Sequence, residues 1–145
     1  MRFVFKLQAL LNWKRTLEEL SQTRLAQKTK RLRDHEKDIQ RVIDLRTSTV
    51  QRLRNKIQEP ISASEFLVHK QYEEACYSEI QSKEEEKELL VREMESEKRD
   101  LISFMKERKV LERLEEREAK KFDLQMEKME QKKIDEEAVM RRVRK

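Results

Sequence analysis

The sequence predicts an all-α fold of two long helices forming an antiparallel coiled-coil hairpin. Three observations carry that expectation. The 145 residues include no glycine. Barrels, sandwiches and Rossmann sheets use glycine where φ must be positive, so they are excluded. The chain is 45% charged and only 6% aromatic, a balance that suits long helices rather than a thick globular core. Apolar residues also recur at seven-residue spacing on both sides of a single proline, Pro60, which marks coiled-coil seams and argues against disorder.

The first helix is expected over about residues 3–58. Leu25, Leu32 and Ile39 recur every seven residues, and Ile43, Val50 and Ile57 do so on the neighbouring row with Leu53 between them. Residues 59–62 form the break. Glu59 precedes Pro60 and is pushed out of the helical region. Ser62 stands three residues before Glu65, the spacing of a capping box, and Ile61 and Phe66 flank it as a hydrophobic staple would.

The second helix is expected over about residues 63–143. Its seam steps by threes and fours through Cys76, Ile80, Leu90, Met94, Leu101, Phe104, Leu111, Phe122, Met129, Val139 and Val143. The same thread passes through Lys83, Lys87, Glu97, Arg108, Glu115 and Glu118, where loose packing is expected. At about 1.5 Å per residue the helices are roughly 80 and 120 Å long. A fold-back at Pro60 therefore sets residue 3 opposite about residue 118 and leaves roughly the last 25 residues overhanging. Residues 1–145 read as a single coiled-coil domain.

Charge is unevenly spread. The net +5 comes from 35 bases and 30 acids. Residues 1–33 hold nine bases against Glu18 and Glu19, whereas residues 84–100 hold eight acids against four bases. The basic stretches lack interleaved aromatics for base stacking, so no nucleic acid is expected as a partner. The lone Cys76 permits no intramolecular disulfide and suits a reducing compartment. Lys6 and Gln8 interrupt the apolar start, and no segment approaches a membrane span. A cytoplasmic protein without direct membrane insertion is expected.

No enzyme chemistry is legible. His35 and His69 fall in different helices, and Glu65 with His69 is far short of a bundle metal site. A two-helix hairpin encloses no cavity in which a carboxylate pKa could be raised for acid–base work. Without glycine, a phosphate-binding Gly-x-x-x-x-Gly-Lys loop is impossible. No catalytic residue, metal or cofactor is expected. Phe3, Val4, Phe5, Leu7, Leu10, Leu11, Trp13, Leu17 and Leu20 form an apolar stretch among bases. Its simplest use is to cover the second helix near residues 100–118, with an anionic membrane surface as the other use.

Two stretches resemble the FliJ family of the bacterial flagellar type III export apparatus. The opening Phe3-Val4-Phe5-Lys6-Leu7-Gln8-Ala9-Leu10-Leu11, followed by Arg15, is similar to the family's start. The run from Met126 to Ala138, with Gln131-Lys132-Lys133-Ile134-Asp135-Glu136 at its centre and Arg141 after it, is similar to the family's C-terminus. The resemblance implies a hairpin like the rotary ATPase γ-subunit stalk. It implies insertion into the hexameric export ATPase ring, with contacts to the export-gate membrane protein and to export chaperones. The overhang would then meet the ring through Phe122, Met129, Gln131, Lys132, Lys133, Asp135, Glu136, Arg141 and Arg142. The gate contact is implied just after the break, where Tyr72 and Cys76 stand four apart and Ile80 follows; Glu79 and Lys83 depart from the family's small residue and histidine. A monomer, peripheral to the inner face of the cell membrane at the flagellar base, is the implied state. A stalk of a type III injectisome, or a generic coiled-coil spacer that dimerises, is the alternative.

Overall fold

A computed structural model describes residues 1–56 and 60–144. Two helices account for most of them, α1 over Gln8–Lys56 and α2 over Ala63–Val143. Among the described residues there is no strand and no positive φ. Ile57, Gln58 and Glu59, where the first helix and the break were expected to meet, lie outside the described residues, as does Lys145. The start of α2 is capped locally. Ser62 Oγ accepts from Glu65 N at 3.3 Å, and Ser62 O accepts from Phe66 N at 3.1 Å, which satisfies amides left free in the first turn.

The chain divides into two compact units, each taking a stretch of both helices. One comprises Met1–Leu20 with Leu101–Lys145, the other Ser21–Asp100.

In the first unit, α1 begins at Gln8 rather than near residue 3. Gln8 N donates to Phe5 O at 3.2 Å in a tight turn, and the residues before it are non-helical. Tertiary packing overrides local propensity here. Phe5 and Leu11 are buried with Leu111, and Phe3 and Leu114 pack against them. Phe3 also meets Phe122, ring centroids 5.7 Å apart in a tilted pair, a favoured aromatic geometry. The apolar start of the chain therefore does cover α2, though only in part. Beside this core lies an ion cluster. Arg108 donates through Nε to Glu18 Oε2, and through Nη1 to both carboxylate oxygens of Glu112 at 3.0 and 2.9 Å. Arg15 reaches the same Glu112 at 3.5 Å, and Lys14 pairs with Glu107 at 2.6 Å.

In the second unit, Ile39, Val42 and Cys76 are the buried apolar residues. Of the charged positions on the α2 thread, where loose packing was expected, Lys83, Lys87 and Glu97 are paired in this unit, Lys83 lying 3.9 Å from Glu79 on its own helix; the Arg46–Glu73 pair lies off the thread. Lys28 Nζ lies 3.1 Å from Glu97, Lys87 lies 3.8 Å from Glu36, and Arg46 lies 3.2 Å from Glu73. His35, on the seam, places Nε2 2.6 Å from the backbone oxygen of Lys83 and 3.8 Å from Glu86. A carbonyl only accepts, so Nε2 carries the proton in this contact. As α1 partners rise from 28 to 46, α2 partners fall from 97 to 73. In the first unit they fall from Phe122 opposite Phe3 to Arg108 opposite Glu18. The helices are antiparallel in both units, and the fold is the helical hairpin that the sequence predicts.

Candidate functional site

Two surfaces carry the residues singled out in the sequence, one in each unit. The first is the C-terminal part of α2. Phe122 is half-buried against Phe3. From residue 127 to residue 144 every described position is exposed. Met129, Ile134, Val139, Met140 and Val143 are among the chain's exposed large apolar residues. A stretch of helix from residue 127 to Val143 without a covering partner is unusual for side chains of this size. Gln131 Nε2 donates to Asp135 Oδ1 at 3.0 Å, one turn along the same face. Lys132, Lys133 and Glu136 are exposed beside them, and Arg141 and Arg142 occupy the last turn, where cations complement the helix dipole.

In the same unit, hydrogen bonds from Arg108 hold the Glu112 carboxyl below the usual carboxylate range, against the opposing effect of partial burial, with Arg15 adding to the effect. Glu112 and then Glu18 raise Arg108 in turn. Both partners are thus fully charged at neutral pH.

The second surface lies just after the break. Tyr72 is 40% exposed and Cys76 only 6%, so the two do not present outward as a matched pair. Cys76 sits at the foot of a groove and Tyr72 at its rim. The remaining walls are Ala75 and Glu79 from α2 with Arg41, Val42 and Leu45 from α1. Ile80 is half-buried further along α2. The α1 wall was not legible from α2 motifs alone. Leu45 is half-exposed and falls outside the α1 seam, which is the signal that could have found it once the antiparallel register was set. Tyr72 also borders a second hollow with His69, Val50 and Leu53.

Among the described residues there is no group of three or more His, Cys, Asp or Glu side chains able to hold a metal ion. No helix in them is long and apolar enough to cross a membrane. No curated protein and no solved structure matched the chain in comparison. A family model described as "Flagellar FliJ protein" matches residues 3–145. That match takes in both terminal stretches and the break between the helices, and the chain belongs to the flagellar FliJ family, a component of the flagellar export apparatus.

Proposed function

We propose that the chain is a non-enzymatic stalk of the flagellar type III protein export apparatus, acting between the hexameric export ATPase and the export gate. The observation that carries this reading is the C-terminal stretch of α2, exposed on every side yet studded with apolar residues and ending in arginines. Such a helix suits a lumen that surrounds it. Phe122, Met129, Gln131, Lys132, Lys133, Asp135, Glu136, Arg141 and Arg142 are the ring contacts in this reading. A lone rod in a six-fold ring touches subunits unequally, and so biases which of them bind and release nucleotide. The stalk modulates hydrolysis without performing it.

Tyr72, with the groove over Cys76 and Ile80 beyond it, is the contact for the gate's membrane protein. Leu45 and Arg41 supply its second wall. Export chaperones are further partners, and the working location is the cytoplasmic side of the membrane at the flagellar base. The free chain is monomeric, because a hairpin satisfies its own seam; a spacer would instead show twice the mass in solution.

Removal of residues 121–145 tests the reading. The truncated chain is expected to stay helical and to keep gate binding, while stimulation of the export ATPase is abolished. Undiminished stimulation by the truncated chain would sink the ring-insertion model.

A further inference from the structure

The side of α2 turned away from α1 carries charge of a single sign. In the first unit, Glu107, Arg108, Leu111, Leu114 and Phe122 meet residues from the start of the chain. At about 100° per residue, they mark the covered side of the helix. The opposite side, an arc of about 100° over residues 102–124, holds Lys106, Lys109, Arg113, Arg117 and Lys120. Ile102, Val110 and Leu124 share the arc and are 51%, 63% and 56% exposed. No acid falls within it. The five bases are exposed, and the whole face belongs to one compact unit. The acids nearest the covered side are already engaged, Glu107 by Lys14 and Glu112 by Arg108 and Arg15. Glu116 borders the arc, yet among the described residues it forms no ion pair with any of the five bases.

We propose that this face adsorbs to an anionic membrane surface, its bases on lipid phosphates and its three apolar side chains in the headgroup layer. The contact needs neither ATPase ring nor export gate, so it stands apart from the stalk reading. It is adsorption along the helix, not insertion of it.

Spacing and chemistry name the occupant. A partner helix needs apolar knobs at steps of three and four, but Ile102, Val110 and Leu124 are much more widely spaced. Single-stranded nucleic acid takes aromatic side chains for stacking, and the arc holds none. A duplex would satisfy the bases through its phosphates but leave the three apolar side chains in water. A bilayer surface takes both kinds of side chain. From Ile102 to Leu124 the face is about 33 Å long and straight, and it can lie flat on a plane of negative charge. Clusters of about four to eight bases on a helix suit anionic lipid. Lysine and arginine stems lie along apolar neighbours while their charged ends reach phosphates, and the apolar residues settle between headgroups.

Co-sedimentation of the full chain with vesicles tests the assignment. Vesicles of phosphatidylglycerol and phosphatidylcholine should retain it at low salt and release it as ionic strength rises. Pure phosphatidylcholine should not retain it. Lys106→Gln, Arg113→Gln and Lys120→Gln combined should weaken partitioning at least about tenfold, since each base near an anionic surface contributes about fivefold. All three positions are exposed, so circular dichroism should stay helical. The charge-matched variant Lys30→Gln, Arg31→Gln and Arg33→Gln lies at exposed positions of the other unit. It should stay within about twofold of the unsubstituted chain. No retention by anionic vesicles, equal retention by neutral ones, or equal loss from the two variants overturns the proposal. Tighter binding of duplex DNA or poly-glutamate than of anionic vesicles overturns it as well.

Discussion

At the scale of single residues, the polar positions on the seams specify the pairing as much as the apolar ones do. Arg108 is the clearest case. Its guanidinium neutralises Glu18, whose side chain is 11% exposed, and forks onto Glu112. Arg108→Leu leaves Glu18 nearly buried without a counter-charge, and a loss of about 2 kcal/mol in chemical denaturation is expected. Replacing Glu18 by Leu as well should recover much of that loss, because the uncompensated charge goes with it. The same cluster sets a pH dependence. Arg108 depresses the Glu112 carboxyl in the folded state. Its contribution is therefore present at neutral pH and fades as pH falls through the folded carboxyl's titration, below the range of a free glutamate. Thermal melts between pH 7 and pH 3 should show this acid-side loss, and Glu112→Gln should flatten it. Ser21 tells the opposite story. It is 2% exposed and its hydroxyl finds no partner. Ser21→Ala should raise stability by about 1 kcal/mol. None of these pairings was legible in the sequence, where a thread through apolar residues could only record Arg108 and Glu97 as interruptions. The partners lie dozens of positions away, and only the fold brings them together.

At the scale of elements, local chemistry was readable wherever backbone constraints act over a few residues. Pro60 and Ser62 placed the start of α2, and Ser62 does accept from Glu65 N. Ser62→Ala should cost about 1 kcal/mol and fray the first turn, seen as faster amide exchange at Glu65 and Phe66. The start of α1 was not readable in that way. Phe3 and Phe5 fit a helical pattern, yet they are drawn onto Leu111 and Phe122, and burial of aromatic area outweighs a few tenths of a kcal/mol of propensity. The candidate gate surface was half-legible. The spacing of Tyr72 and Cys76 marked a turn of α2 that lines a groove. It could not show that Cys76 is buried while Leu45 of α1 completes the groove.

At the scale of the molecule, composition was the most informative reading. The absence of glycine and the weight of charge left long helices as the remaining architecture. Net charge bears on association with partners rather than on the fold. Lys132, Lys133, Arg141 and Arg142 are exposed on the free stretch of α2. Changing all four to glutamine should leave the melting temperature within about 2 °C. The same change should slow association with the export ATPase by about tenfold at low salt and flatten its dependence on ionic strength. Stopped-flow mixing across a salt series checks both. An unchanged rate would remove these bases from the docking step.

The division of the chain into its two units also sets an order of events during synthesis. Residues 21–100 are one continuous piece, so their pairs can zip outward from the break as α2 emerges, each new pair closing little extra loop. Residues 1–20 must wait for residues 101–145, which leave the ribosome after the whole of residues 21–100. Phe5 and Leu11 are thus made early and covered late, when Leu111 arrives, and until then they are a sticky lure for other nascent chains. The closure that forms last is also the one with the longest reach in sequence. It is the natural place for the hairpin to unzip, at the end from which the free helix extends.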